Sequence, residues 1–350
     1  MLPNRAEEVR IVHGRRSNQM IIISVDSTRL GPALGGCRMK AYPSWHDGLA
    51  DVLRLSAAMT EKAALADLDH GGGKTVVALD ESDAARWTSG PDRADLLADI
   101  ADAVESLQGA YLTGPDIGTG PDDMALLRQR TRYALCRPES AGGSGDSSAP
   151  TALGVISSIE AVCRHLWPER DLAALTFAVI GLGHVGAAVA EYLAGTGARL
   201  TVADLDPAQR RVADALSARW VNPAAALTAD VDVVVPCAVG GILTPTSVAA
   251  LRCRAIVGAA NNQLDEDATA DLLHERGVLW APDTIVSGGG IISAVARELK
   301  GASRHEADDR VRAIGPRLTG VLDAAARADV SPLHVARALV QDRLNSVRTA

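Results

Sequence analysis

Two apolar runs open the chain. Residues 9–13 and 19–25 are rich in Val, Ile and Met and predict strands, joined by a polar turn from Gly14 to Asn18. Over residues 46–63 the period changes. Leu49, Val52, Leu53, Ala57 and Met59 form one stripe, which predicts a helix ending near Lys62. Lys74-Thr-Val-Val-Ala-Leu predicts a strand, with Gly71, Gly72 and Gly73 as the turn before it. Residues 91–107 predict an amphipathic helix opened by Pro91, with Leu96, Leu97, Ile100, Val104 and Leu107 on one face. A short strand at Tyr111 leads into irregular backbone around Asp116. Residues 138–150, rich in Gly, Ser and Pro, read as a linker.

Beyond the linker the pattern alternates. A helix is predicted over 151–166. Strands are predicted at 175–180, 199–203, 231–235, 255–258 and 278–281, with helices at 207–218, 245–251 and 265–276 between them. That rhythm is the signature of a doubly wound parallel sheet. Residues 288–300, 305–328 and 331–347 read as helices, and no repeat of solenoid period is present.

The first strand of this half runs into Gly181-Leu-Gly-His184-Val185-Gly186, which opens a helix. The next strand ends at Asp204, eighteen positions after Gly186. This is the full context of a dinucleotide-binding fingerprint. Gly181 serves a tight turn, Gly183 admits a pyrophosphate to the backbone, and Gly186 lets helix and strand pack closely. The carboxylate of Asp204 suits ribose hydroxyls and repels a 2′-phosphate, so the expected cofactor is NAD rather than NADP. Two later loops belong to the same sheet edge. Cys237 and Ala238 follow one strand, and Asn261 and Asn262 follow the next. The two amides suit a nicotinamide or a substrate amino group, or simply form a turn.

In the first half the chemistry lies in Lys62 and Lys74, twelve positions apart, with the triple glycine before the second. Two ammonium groups held close favour loss of a proton from one, and a neutral lysine is a general base. The plainer alternative is a glycine turn between two solvated lysines. Gly35-Gly36 marks a bulge or a close backbone approach, with or without a ligand. Asp116 is either a turn former or, if it faces the lysines, a proton partner.

Composition narrows the field. Of 350 residues, 47% are hydrophobic and 22% charged, and only 3% are aromatic, so Ala, Val, Leu and Ile must build the core. The net charge is −8 without a basic tract, which argues against nucleic acid and anionic membranes as partners. No apolar run reaches a bilayer span, and Met-Leu-Pro-Asn-Arg-Ala-Glu-Glu lacks the apolar segment of a signal peptide. Five cysteines without a C-x-x-C suggest reduced thiols and a cytoplasmic setting, and no metal site is expected.

Taken together, LGPALGGCRM (30–39), MTEKAALADLDHGGGK (59–74), TGPDIGTG (113–120), GSGDSSAPTALGV (143–155), GLGHVG (181–186) and AANNQL (259–264) closely resemble the leucine/phenylalanine/valine branch of the amino-acid dehydrogenases, over about residues 10–345. The resemblance implies an α/β chain of two domains with the active site in the cleft. A substrate-binding and oligomerisation domain would span 1–137, a Rossmann NAD-binding domain 150–328, and a helix over 329–350 would pack back on the first. It implies NAD-dependent, reversible oxidative deamination of an L-amino acid to a 2-oxo acid and ammonia by a homo-oligomer. It assigns Lys62 to the substrate carboxylate, Lys74 to the base, Asp116 to proton transfer, and Gly35 and Gly36 to the substrate backbone. The family pattern is broken at Ser287, where Asn is usual, and at Thr284, where Tyr is usual.

Two further positions bear on the substrate. Gly114 and Ala294 stand where larger residues occur in enzymes for aliphatic substrates, which points to an aromatic, phenylalanine-like side chain. The valine-like Gly145-Asp-Ser-Ser148 points the other way. Aliphatic substrates, an unusual amino acid in a biosynthetic pathway, and a non-catalytic NAD-binding homologue remain the alternatives.

Overall fold

Three consecutive isoleucines, Ile21–Ile23, are buried without alternation, which requires a strand covered on both faces. In the computed structural model, which describes residues 6–82 and 84–347, this strand lies inside a five-stranded sheet. The chain divides into two compact units. The first holds the chain up to Asp146, residues 294–302, and the last helix from Val340. The second holds 147–293 and 303–339. Met1–Arg5, part of the N-terminal stretch expected to lack a signal segment, and positions 348–350 of the expected C-terminal helix lie outside the described residues.

The first unit contains β1 (Glu8–His13), β2 (Met20–Ser27), β3 (Ala33–Ala41), α1 (Trp45–Leu65), β4 (Gly71–Leu79), α2 (Gly90–Glu105), β5 (Tyr111–Pro115) and α3 (Pro121–Arg128). The strand order is β1-β2-β4-β3-β5. β2 is antiparallel to β1 and β4, while β3 is parallel to β4 and β5. One face packs Ile22 and Val76 against Val52 of α1. The other packs Ile21, Ile23 and Val77 against Leu96, Leu97 and Ile100 of α2. Burial of each such side chain is worth about 1.5–3 kcal/mol. Helix α1 starts at Ser44, whose side chain accepts from Asp47 N.

The expected glycine turn is absent: Gly71–Gly73 are the first residues of β4, and the helix before them runs on to Leu65. The reason is what lies across from them. A Cβ on Gly72 would sit 2.1 Å from Thr60 N of α1, and one on Gly73 would sit 2.6 Å from the Tyr111 ring. The glycines let a helix backbone and an aromatic ring reach the strand.

The second unit contains α4 (Ser148–Leu166), β6 (Thr176–Ile180), α5 (His184–Gly195), β7 (Arg199–Ala203), α6 (Arg210–Ala215), β8 (Arg219–Trp220), α7 (Pro223–Leu227), β9 (Val233–Pro236), α8 (Pro245–Ala250), β10 (Ala255–Ile256), α9 (Ala268–Glu275), β11 (Leu279–Trp280), α10 (Asp283–Val286), α11 (Gly289–Ala294), α12 (Arg304–Arg312), α13 (Ile314–Ala328) and α14 (Pro332–Ser346). Ala294, at the end of α11, and α14 from Val340 fall in the first unit. The six strands are parallel in the order β11-β10-β9-β6-β7-β8. Their apolar runs, such as Val233–Val235, are fully buried, as a sheet covered on both faces demands.

Three helical expectations change. The stretch 305–328 is two helices meeting at Ala313, because Pro316 has no N–H to give the preceding turn. Residues 207–218 shrink to a single 3₁₀ turn followed by α6. Residues 288–300 end in a wide π turn over Val295–Leu299. Among the described residues, no helix is long and apolar enough to cross a membrane.

Candidate active site

Side chains alternate along a strand. On β4, Gly72, Lys74 and Val76 therefore share the face covered by α1, and on β3 Gly36 and Arg38 share it too. The Lys74 side chain is only 8% exposed, and its Nζ lies 3.0 Å from Asp116 Oδ2. Asp116 follows β5, which pairs with β3 so that Gly36 lies opposite Gly114 and Cys37 opposite Pro115. Two strands and the loop after a third thus bring Gly36, Lys74 and Asp116 together. A Cβ on Gly36 would lie 3.1 Å from Lys74 Nζ and 2.9 Å from Asp116 Cβ. The place a side chain would take at Gly36 is thus already occupied by the lysine head and the start of the Asp116 loop.

Arg38 is the participant the sequence reading missed. Its Nε donates to Asp116 Oδ2 at 2.8 Å, the same oxygen that pairs with Lys74, and its Nη1 donates to Asp51 Oδ2 at 2.9 Å. Asp51 is further held by Tyr42 OH (2.7 Å) and Arg54 (2.6 Å). Burial alone would raise the Asp116 carboxyl, but the charges of Lys74 and Arg38 outweigh it and hold the group well below the usual carboxylate range. The signal was present in LGGCRM, where Arg38 stands two positions after Gly36 and so on its face.

The Asp116 loop is itself braced. Asp116 N donates to Thr119 Oγ1, which donates to Cys37 O. Arg93 of α2 reaches the Gly118 carbonyl at 2.9 Å while forking onto Asp123. The buried Tyr111 hydroxyl accepts from Thr75 and faces the Gly36 carbonyl at 3.3 Å. Burial pushes the Cys37 thiol up to about 12, so it stays protonated beside the pair.

The other expected residues of this unit lie as follows. Lys62 is half-buried in the last turn of α1. Gly35 fills a packing requirement, since a Cβ there would sit 1.7 Å from the Gly73 carbonyl oxygen. The β3–β4 register is the same on both sides of it, Leu34 opposite Gly72 and Cys37 opposite Thr75. The double glycine is thus a close approach and not a bulge. Gly114 is different. A Cβ there would make ordinary contact, 3.7 Å from Cys136 Sγ, so the fold does not require a glycine. Ala294 is buried. Beyond it, Glu298 Oε1 accepts from Cys136 N, Ser144 N and Ser144 Oγ, which ties down part of the stretch that reads as a linker.

In the second unit the fingerprint lies at the carboxyl end of β6, where the strand order reverses between β6 and β9. That is the switch point at which open α/β sheets bind ligands. Gly181 has φ +95, and a Cβ on it would strike Ala238 after β9. Gly186 is packed against the Gly181 carbonyl oxygen. Gly183 has no such reason. It is the N-cap of α5 with an ordinary φ of −66, no side chain caps the helix, and an added Cβ would meet nothing within 4 Å. Packing within the protein therefore does not require a glycine there. His184 beside it is exposed and Val185 half-buried. The uncapped N–H groups of this turn fit a phosphate.

Asp204 closes the other side of this turn. Its Oδ2 accepts from Leu182 N at 2.6 Å and its Oδ1 from Asp206 N at 2.8 Å. After β9, Cys237 N donates to Ile180 O. After β10, Asn262 takes a left-handed φ of +54 and its N–H donates to Asp283 Oδ2 at 2.6 Å. Buried Ser287 donates to the Asp283 carbonyl (2.5 Å) and reaches Asn261 Oδ1 at 3.4 Å. The two asparagines therefore lie in a bend that is tied to Asp283 and Ser287.

With this geometry in view, comparison with known proteins is informative. The family described as "Glu/Leu/Phe/Val dehydrogenase, dimerisation domain" matches residues 4–133, and "Glutamate/Leucine/Phenylalanine/Valine dehydrogenase" matches residues 201–319. A phenylalanine dehydrogenase of Caldalkalibacillus thermarum (strain TA2.A1) is 39% identical, over 97% of this chain and 91% of its own. A leucine dehydrogenase of Thermoactinomyces intermedius is 32% identical, over 98% and 92%. The crystal structure of L-tryptophan dehydrogenase from Nostoc punctiforme superposes with a TM-score of 0.80 at 32% identity, covering 97% of this chain and 96% of that one.

Proposed function

The chain belongs to the glutamate/leucine/phenylalanine/valine dehydrogenase family, oxidoreductases acting on CH–NH2 donors, and from that premise we propose that it carries out the reversible, NAD-dependent oxidative deamination of a hydrophobic, preferentially aromatic L-amino acid. The observation that carries this reading is the Lys74–Asp116 pair, with the lysine side chain only 8% exposed and its Nζ 3.0 Å from Asp116 Oδ2. Such a lysine is in position to take protons from a substrate nitrogen.

The chemistry requires the substrate ammonium to lose a proton, hydride to leave Cα, and water to attack the resulting iminium before ammonia departs. Bound NAD supplies the hydride acceptor. Lys74 as the free amine takes the first proton and releases it to solvent, takes one from the attacking water and returns it to the carbinolamine nitrogen, and finally takes the hydroxyl proton as the carbonyl forms and ammonia departs. Asp116 holds the lysine head and compensates its charge. A carboxyl held so far down favours that role over carrying the proton itself. Lys62 is the reading for the substrate carboxylate, and the Gly36 backbone for close passage of Cα. Gly114, Ala294, Asn262 and Ser287 are proposed to shape the side-chain and nicotinamide surroundings.

NAD would lie on Gly181–Gly186, with His184 and Val185 at the helix start, Asp204 at the ribose, and Cys237, Ala238 and Asn261 along the sheet edge. The aromatic preference rests on Gly114, where no packing demands a glycine; a pocket methylene discriminates by only about 1–3 kcal/mol. The chain is read as a homo-oligomer built through its first domain, in keeping with the description of the matching family.

The test is formation of reduced cofactor, followed by its near-ultraviolet absorbance, across the standard amino acids at alkaline pH. Turnover with phenylalanine and related substrates is the expected result. Tight NAD binding without turnover of any amino acid refutes the reading and leaves a non-catalytic homologue. Asp204→Ala should weaken NAD and narrow the preference over NADP. Steady-state comparison of the two cofactors checks this, and an unchanged ratio removes Asp204 from the ribose.

A further inference from the structure

An isolated buried Lys–Asp pair is a poor base, because proton loss from the lysine would strand a buried carboxylate without a counter-charge. The structure contains the remedy. Arg38 approaches the same oxygen of Asp116 that Lys74 does, at 2.8 Å against 3.0 Å, and a guanidinium does not give up its proton. We propose that Arg38 is a positioning residue for the Lys74–Asp116 pair, keeping Asp116 charge-compensated while Lys74 alternates between ammonium and amine. The inference rests on the reading of Lys74 as the base.

The remaining charges around the pair set the sign of each perturbation. From β3 come Arg38 and the neutral Cys37 thiol, and Tyr42 follows that strand. From α1 come Asp51, which anchors Arg38, then Arg54, and Lys62 in the last turn. From β5 comes the buried hydroxyl of Tyr111. Behind the Asp116 loop, Arg93 and Asp123 satisfy one another. Removing Arg38 leaves Asp116 to Lys74 alone and favours the ammonium. Removing the Asp51 charge frees Arg38 for Asp116, makes the surroundings more positive, and favours the amine. The two changes act in opposite directions, which a merely structural role cannot produce.

The experiment has two arms on the full-length protein. The first is the pH profile of kcat/KM. Its acid limb should move up by about one pH unit in Arg38→Gln, a tenfold loss on that limb, and move down in Asp51→Asn. Arg38→Lys should recover part of the loss. The second follows the ammonium-to-amine transition of Lys74 by NMR with labelled lysine, without substrate. The chain has only four lysines, Lys40, Lys62, Lys74 and Lys300, so Lys74→Arg assigns the signal.

Opposite shifts in the two variants support the proposal. Shifts of the same sign, or none, overturn it. If Arg38→Gln does not fold, Asp51→Asn decides alone by moving the transition down or leaving it in place. An NMR transition that moves while the kcat/KM profile stays fixed leaves the charge sharing intact and removes Lys74 from the base role.

Discussion

Replacing Lys74 with alanine lowers kcat by about 10²–10⁴-fold, the usual contribution of a positioned general base, and leaves NAD affinity nearly unchanged. The fold should survive, because Asp116 keeps Arg38 as its partner. Lys74→Arg sharpens the result. It retains a cation beside Asp116 but none that releases a proton at working pH, so it should be as inactive as the alanine variant and at least as stable. Thirty-five residues are Lys or Arg, and only four are Lys. A chain that uses arginine almost everywhere keeps lysine at the buried position where a neutral form is needed. Steady-state rates with saturating cofactor, a fluorescence titration of the reduced cofactor and a thermal melt together check the prediction. Turnover by Lys74→Arg near that of the parent chain would falsify the base assignment.

What was legible in the sequence is what is local. The strand, turn and helix around Gly181–Gly186 follow one another directly, and Asp204 ends the next strand, so spacing alone located one unit's candidate site. The amphipathic stripes of α1 and α2 were equally plain, since a helix periodicity is complete within a few turns. Arg38 was not legible in the same way. Its partners are Asp51 on a helix and Asp116 beyond a strand that pairs with its own, 78 positions along the chain. Its spacing from Gly36 gives the face it lies on but neither of these partners.

The triple glycine shows the opposite failure. Glycine runs are commonly turns, and the sequence pattern alone predicts one here. The true cause is a helix backbone at Thr60 and the ring of Tyr111, both of which reach the strand only after the sheet has formed. Pro316 was overlooked for a related reason. Stripes on both sides of it match in phase, and the missing N–H matters only once the helix tries to continue.

Neighbouring glycines on β3 should fail in different ways when each is changed to alanine. In Gly35→Ala the new Cβ falls 1.7 Å from the Gly73 carbonyl oxygen. That atom belongs to the backbone of the adjoining strand and cannot turn aside, so β3 and β4 must separate. The cost should exceed the about 1–3 kcal/mol of ordinary overpacking, and the chain should melt far below the parent or fail to accumulate in soluble form. In Gly36→Ala the Cβ points at Lys74 Nζ (3.1 Å), Asp116 Cβ (2.9 Å) and Pro115 O (2.9 Å). The two tightest contacts are with the start of the Asp116 loop, which must shift by a few tenths of an ångström, and the flexible lysine head moves with it. This variant should stay folded with a loss within the same about 1–3 kcal/mol, while its kcat falls by about 10²-fold, as a displacement near 1 Å at the reacting centre can produce. Thermal unfolding separates the two on stability, and kcat at saturating cofactor separates them on chemistry. A Gly35→Ala chain as stable as the parent would remove the strand approach as the reason for that glycine. A Gly36→Ala chain with full kcat would mean that the exact position of the Lys74 head does not limit turnover.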